Sequence, residues 1–259
     1  MKKFPLLLIF AVAIAPCFIW GHAHALLIDD FTVEQHLVKS GAPGSVVGQV
    51  PGGLVGDPSI AGGFRESRLH KVSGANTSAS RMSLDVVGGF LSLSARSGVG
   101  GHTHITYDGV NMTTTPDVDP VGMIGPFDLS ADTEFLVDVI SLDFIEELKL
   151  TLYNGDPTNG FTKHAEHVIA AAGVFPITYS IPLAPFTVAG AGGAAIDLTQ
   201  ITAIRFEVLG DPTSGDITID HLRTFASPPS VPEPSTFILF GLGVLGILGY
   251  GWRRRRETK

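Results

Sequence analysis

The stretch ELKLTLY, residues 147–153, alternates polar residues with leucine at every second position. Successive side chains of a β-strand point to opposite faces, so this period of two places Leu148, Leu150 and Leu152 on one apolar face. The opposite face is left polar. The pattern predicts a half-buried antiparallel strand, with one face in a core and one face in water.

The same alternation recurs through the middle of the chain, and paired glycines separate the alternating segments. No long amphipathic helix competes with them. Short strands between turn signals are typical of a β-sandwich or a β-barrel. The alternating segments are residues 81–86, 90–94, 135–140, 201–208 and 216–220.

The C-terminal end has a different composition. Val231-Pro232-Glu233-Pro234 precedes residues 237–252, which carry no charge and are apolar on every helical face, and then four arginines at 253–256. A helix of this length spans about 25 Å, which predicts a transmembrane helix in a thin bilayer. Arginines that flank such a helix stay on the cytoplasmic side, so we expect the rest of the chain to lie across the membrane.

The N-terminal end predicts export as well. Lys2 and Lys3 precede an apolar run, and Ala23-His24-Ala25 fits the small-x-small pattern that signal peptidase reads. We therefore predict a signal peptide over 1–25, a β-sandwich domain over 26–228 and a sorting segment over 229–259. Cys17, the only cysteine, falls in the leader. A domain without disulfides must be stabilised by its hydrophobic core.

The order of the C-terminal features resembles the PEP-CTERM sorting signal of Gram-negative bacteria that produce exopolysaccharide. That resemblance implies processing near Val231, Pro232, Glu233 and Pro234 by an exosortase, a membrane cysteine transpeptidase. The protein would be anchored in the inner membrane before processing and then reach the outer surface or the extracellular matrix. The alternative is a plain C-terminal membrane anchor with an accidental Pro-Glu-Pro.

The charge of the middle domain narrows the choice of partners. Residues 26–234 hold 10 Lys and Arg against 24 Asp and Glu, a net charge of −14, whereas the whole chain has −8. A domain this acidic repels nucleic acid and anionic lipid surfaces, and it favours solubility and cation binding. We therefore expect no nucleic-acid partner.

Three short stretches resemble strands of galactose-binding-like jelly-roll sandwiches, which occur in many surface proteins and carbohydrate-binding modules. They are LLIDDF at 26–31, GGFRESR at 62–68 and the closing segment at 201–225. The resemblance implies a jelly-roll-like antiparallel sandwich. It also implies that the first and last strands are neighbours.

In such modules the first and last strands often share a structural calcium ion. The matching acids are Asp29, Asp30 and Asp220, and oxygen ligands from different strands suit calcium. The other interpretation is three solvated acids at strand ends. Apart from this calcium ion, we expect no cofactor.

Two pairs of histidines are candidates for chemistry. His102 and His104 lie two residues apart, on one face of a predicted strand, where Asp108 could complete a transition-metal site. Exposed histidines beside a turn are the alternative. His164 and His167 lie three residues apart and lack the pattern of a helical zinc protease, so we interpret them as surface residues.

No nucleophile elbow, phosphate-binding loop or mature cysteine is present. Carboxylate pairs such as Glu146 with Glu147, or Asp117 with Asp119, could serve glycoside hydrolysis only across a cleft. Three hypotheses follow. The first is a non-enzymatic surface or matrix protein that associates with exopolysaccharide, the second a secreted carbohydrate-active enzyme, and the third a calcium-stabilised adhesion module.

Overall fold

The computed structural model describes residues 26–49, 59–109, 125–143, 146–155, 160–170, 174–210 and 215–226. The predicted signal peptide, sorting segment and transmembrane helix lie outside these residues. Within the described part, no helix is long and apolar enough to cross a membrane. Three short 3-10 helices occur there, at Ala61–Gly63, Ala184–Thr187 and Leu198–Gln200.

The described residues form thirteen β-strands, six of which contain or overlap the segments that alternation predicts. In chain order they are β1 Leu27–Asp29, β2 Gln35–Lys39, β3 Gly44–Gln49, β4 Glu66–Lys71, β5 Met82–Val87, β6 Phe90–Ala95, β7 Gly101–Tyr107, β8 Glu134–Leu142, β9 Glu146–Asn154, β10 Thr162–Ala170, β11 Ile177–Pro182, β12 Ile201–Leu209 and β13 Asp216–Phe225.

The strands pair into two antiparallel sheets. The seven-stranded sheet has the order β11-β8-β13-β6-β5-β2, with β1 beside the second half of β13. The six-stranded sheet has the order β10-β9-β12-β7-β4-β3. This architecture confirms the predicted all-β, antiparallel, jelly-roll-like sandwich. Leu27 lies opposite Arg223, so the first and last described strands are neighbours, as the resemblance implied.

The core lies between the two sheets. Leu148, Leu150 and Leu152 of β9 are fully buried, as the alternation predicts. The facing sheet contributes Phe135, whose ring centroid is 6.4 Å from that of Phe206 on β12. Burying one such side chain contributes about 1.5–3 kcal/mol, so these inward positions hold the sheets together. Their polar neighbours on β9 and β12 point to the outer face of the six-stranded sheet.

Candidate functional site

The outer face of the six-stranded sheet carries a row of ionisable side chains across four central strands. The strand register aligns Arg68 of β4 with His104 of β7, His104 with Glu207 of β12, and Glu207 with Lys149 of β9. Side chains that are directly opposite on neighbouring strands lie about 5 Å apart. Residues from four separate regions of the sequence therefore meet on one surface.

A second row runs parallel to the first, two residues along each strand. It aligns Glu66, Thr106, Arg205, Thr151 and Ala165 from β4 to β10. The basic residue of this row lies at its centre, on β12. Most members of the two rows form the floor of a surface groove, whereas Glu66 and Thr106 lie outside its lining.

The groove has a volume of about 390 Å³. A glycine-rich segment at 189–194 borders it, held by a hydrogen bond from the Ala165 amide to the Gly192 carbonyl at 3.0 Å. A Cβ atom on Gly192 would lie 2.2 Å from the carbonyl oxygen of Ala165, so only glycine fits there. The groove is lined by Arg68, His104, Lys149, Thr151, Tyr153, Lys163, Ala165, Gly192, Arg205 and Glu207.

Glu207 is the one carboxylate among the described residues that line the groove. Its side chain is 5 % exposed, and its Oε2 atom accepts a hydrogen bond from Lys149 Nζ at 2.8 Å. His104 Nε2 lies 4.0 Å from the same oxygen. Glu207 therefore anchors Lys149 in the floor.

Arg205 is buried beneath the groove, at 7 % exposure. Its guanidinium lies 5.5 Å from the centroid of the Tyr153 ring. Within the described part of the chain its Nε atom has no hydrogen-bond partner. Buried donors are nearly always paired, so an unpaired donor beside a groove is a candidate contact for a ligand.

Three histidines extend the floor towards one edge of the sheet. The ring centroids of His70 and His102 are 4.7 Å apart, and those of His102 and His104 are 4.9 Å apart. His102 and His104 share one face of β7, as predicted. The rings stack, and no group of three or more His, Cys, Asp or Glu in the described residues could hold a metal ion. The structure thus does not support the transition-metal site with Asp108.

Burial keeps these histidines neutral. Burial, followed by the nearby His70 and Arg68, lowers the pKa of His102 from 6.5 to about 4. Burial, followed by His102 and Arg205, lowers the pKa of His104 from 6.5 to about 3. Both imidazoles are therefore uncharged at neutral pH.

The depressed pKa values predict a loss of stability in acid. Between pH 6.5 and the folded pKa values of about 4 and about 3, the unfolded state binds more protons than the folded state. The stability that the neutral histidines contribute is therefore fully present above pH 6.5, and it is lost as the pH falls towards the folded pKa values. We expect a loss of about 1–2 kcal/mol per histidine between pH 7 and pH 5, measured by urea unfolding.

A double substitution tests this assignment. The variant His102→Gln/His104→Gln should lose less stability than the parent over the same pH interval. The control is His221→Gln, since the His221 side chain is 39 % exposed and lies on the other sheet. An unchanged pH slope in the double variant would contradict the prediction.

Asp29, one of the three predicted calcium ligands, lies in the interior instead of at a solvated strand end. Both of its carboxylate oxygens accept hydrogen bonds from Arg65 Nη1, at 2.9 and 2.8 Å. Tyr107 donates its hydroxyl at 2.9 Å, and the Phe31 amide donates at 2.8 Å. Burial raises the pKa of Asp29, and the Arg65 contact opposes that rise.

Asp30 and Asp220 lie near the same strand pair but have other contacts. Asp30 accepts hydrogen bonds from the hydroxyl and amide of Thr32, at 2.6 and 3.0 Å. Asp220 Oδ2 lies 3.0 Å from His221 Nδ1. The described residues include no metal-holding trio. The geometry therefore does not bring Asp29, Asp30 and Asp220 together as ligands, and calcium binding stays a prediction from the resemblance.

The interpretation of His164 as a surface residue is wrong. It is 2 % exposed, whereas the sequence suggested a surface residue. Its Nδ1 atom lies 2.9 Å from the Ala194 carbonyl oxygen, and its Nε2 atom lies 3.1 Å from Glu166 Oε1. The histidine thus packs under the glycine-rich segment. The His167 side chain lies outside the described residues.

The C-terminal segment is assigned by comparison with known families. The model of the PEP-CTERM protein-sorting motif matches residues 230–256, which include Val231, Pro232, Glu233 and Pro234. The chain carries a PEP-CTERM sorting motif. The motif indicates an exported protein with a membrane-linked sorting signal, and it implies processing by an exosortase.

Known structures resemble the described sandwich weakly. The family 11 carbohydrate-binding module of a cellulosomal cellulase of Clostridium thermocellum is 14 % identical, with 80 % of this chain and 97 % of that chain covered and a TM-score of 0.39. A family 30 module from the same organism is 10 % identical, with 75 % and 99 % covered and a TM-score of 0.35.

An agarase, AgWH50C, is 16 % identical, with 57 % of this chain and 22 % of that chain covered and a TM-score of 0.38. No curated protein sequence matches this chain. The fold assignment rests on the strand pairing itself.

The sequence did not reveal the groove as a site. Lys149, Arg205 and Glu207 occupy the polar positions of alternating strands, where charges are ordinary solvated side chains. The available signal is weak: β9 and β12 carry charges at consecutive outward positions, while much of the rest of their sequence is apolar. Only the strand order shows that these charges share one surface.

Proposed function

We propose that this chain is a non-enzymatic exported protein that binds extracellular glycan through the groove on the six-stranded sheet, with exopolysaccharide as its expected partner. The observation that carries the proposal is the groove itself: about 390 Å³, with donors and acceptors from β4, β7, β9 and β12. Glycans present hydroxyl groups in fixed positions. A fixed set of polar side chains on a sheet suits their recognition.

The floor of the groove is preorganised. Thr151 is 4 % exposed, Glu207 is held by Lys149, and the inner faces of β9 and β12 are core aliphatic side chains and Phe206. Rigid positions lose little conformational entropy when a ligand binds. The PEP-CTERM motif supports an extracellular partner, since it indicates export.

The geometry favours binding over hydrolysis. Glycoside hydrolysis requires two carboxyl groups on opposite sides of the scissile bond. The described lining of the groove offers one, Glu207, and that carboxylate is already bound by Lys149. The proposal therefore assigns this groove a binding role.

A groove-filling substitution tests the proposal. Ala165 points into the groove from β10, and in Ala165→Trp the indole would occupy the ligand space. We expect the full-length chain to be retarded by exopolysaccharide in affinity electrophoresis, and we expect Ala165→Trp to reduce the association constant at least 10-fold. Lost contacts of about 1.4 kcal/mol give that factor.

The matched control is Ser92→Trp. Ser92 is half-buried on the outer face of the seven-stranded sheet, where its hydroxyl contacts Thr218. This variant should bind as the parent does. Retardation of neither parent nor variants by any polysaccharide would overturn the proposal, and equal losses in both variants would show that the groove is not the site.

A further inference from the structure

We infer that the groove selects acidic glycan, whose carboxylate or sulfate groups are bound by Arg68 and Arg205. This inference rests on the proposed glycan-binding function and specifies its substrate class. The described lining contains four cations, Arg68, Lys149, Lys163 and Arg205, against the single anion Glu207.

This basic groove lies on an acidic domain. Residues 26–234 carry a net charge of −14, so a patch of cations on this domain has a charge opposite to that of the domain as a whole. The four cations come from β4, β9, β10 and β12 of one sheet, in three successive rows on its outer face. Charge complementarity to a ligand accounts for such a patch.

Arg68 contributes a half-buried guanidinium to the groove lining. It donates from Nε and Nη2 to the Ser45 hydroxyl, at 3.1 and 2.8 Å. No carboxylate of the described residues forms an ion pair with it. The serine contact occupies the Nε and Nη2 edge of the guanidinium. The donors on the other edge are left for a ligand. A planar fork of this kind matches a carboxylate or sulfate.

Arg205 supplies a buried cation near the centre of the floor. It is 7 % exposed, and its Nε atom is unpaired in the described part of the chain. Glu66 in the same row interacts electrostatically with Arg205, but Glu66 is not among the residues that line the groove. An anionic group in the groove would supply a counter-charge for Arg205.

The aromatic residue of the groove indicates the same ligand class. Tyr153 is 1 % exposed, and its ring is engaged by Arg205 and, edge-on, by Phe161 at 5.4 Å. It does not present a free face on which a neutral sugar ring could stack. Charged hydrogen bonds are therefore the main contacts that this groove offers.

The test compares acidic polymers with neutral forms of the same backbone. The full-length chain is titrated with polygalacturonate, its fully methyl-esterified form, dextran sulfate, dextran and single-stranded DNA. We expect binding to an acidic glycan and at least 10-fold weaker binding to its neutral counterpart. Arg68→Gln and Arg205→Gln should each weaken the acidic complex about 10-fold or more, the loss expected for one charged hydrogen bond.

The control is the variant Arg81→Gln/Arg96→Gln, which removes two exposed arginines outside the groove. It should bind as the parent does. Circular dichroism checks folding, and if Arg205→Gln does not fold, the half-buried Arg68→Gln decides the result.

Each contrary outcome has one meaning. Equal binding to acidic and neutral forms would overturn the acidic selectivity and leave glycan binding intact. Equal binding of DNA would show a general polyanion site and overturn the carbohydrate class. A third outcome combines both experiments. If exopolysaccharide retards the parent but not Ala165→Trp, and neither acidic polymer binds the parent, this inference alone would be overturned.

Discussion

Replacing Arg65 with methionine is expected to lower the free energy of unfolding by about 3–5 kcal/mol, the typical cost of leaving one member of a buried ion pair alone. Arg65 and Asp29 both have fully buried side chains. The substitution removes two hydrogen bonds to the carboxylate and keeps the side-chain volume similar. Chemical denaturation of the parent and the variant measures the difference.

The matched control is Arg223→Met. Arg223 pairs with Asp138 at 3.0 Å, but its side chain is 34 % exposed, so water screens the pair. We expect a loss of about 1 kcal/mol or less. The apolar double variant Asp29→Leu/Arg65→Met should be more stable than Arg65→Met, since no lone charge is left in the core. Equal losses in Arg65→Met and Arg223→Met would contradict the buried placement.

The pH dependence of Arg65→Met adds a second readout. Burial already raises the pKa of Asp29, and Arg65 is the main group that opposes the rise. Without Arg65, the folded pKa rises further above the unfolded value. The variant should therefore keep most stability at low pH and lose it as the pH rises through the folded pKa.

Gly101→Ala is the second substitution with a large expected effect. A Cβ atom at position 101 would lie 2.2 Å from the His70 carbonyl oxygen and 2.4 Å from Met82 Sδ. The methionine could move, but the carbonyl belongs to the neighbouring strand β4. We expect a loss of about 3 kcal/mol, the upper range for overpacking, in the free energy of unfolding.

Gly125→Ala is the control for this substitution. A Cβ atom there meets no atom within 4 Å, and the residue is exposed. We expect a change within about 0.5 kcal/mol, as for most surface substitutions. A tolerated Gly101→Ala would show that β4 and β7 do not approach as closely as described.

The alternation of polar and apolar residues predicted the strands well. Segments at 81–86, 147–153 and 216–220 became β5, β9 and β13, because period-two patterning fixes which face is buried. The alternation did not identify β2, β3, β10 or β11. Strands with mixed patterns depend on their neighbours in the sheet more than on their own sequence.

The sites were harder to predict, because they depend on contacts between distant residues. Asp29 looked like a surface ligand, but the fold brings Arg65 to it across 36 residues. His164 looked exposed, but a glycine-rich segment some 30 residues later covers it. The common face of His102 and His104 was predictable, since it follows from a spacing of two. Arg68, Lys149 and Arg205 converge only through the strand order.

The pairing of β13 determines how the sandwich would respond to tension. β13 runs between β8 on one side and β6 with β1 on the other, and its last residue, Phe225, precedes the sorting segment. A pull on that end would act along the strand, at right angles to its hydrogen bonds. Bonds to the strands on both sides would then be sheared together instead of broken one at a time, so a tether at this end would load the domain through a strand that is hydrogen-bonded along both edges.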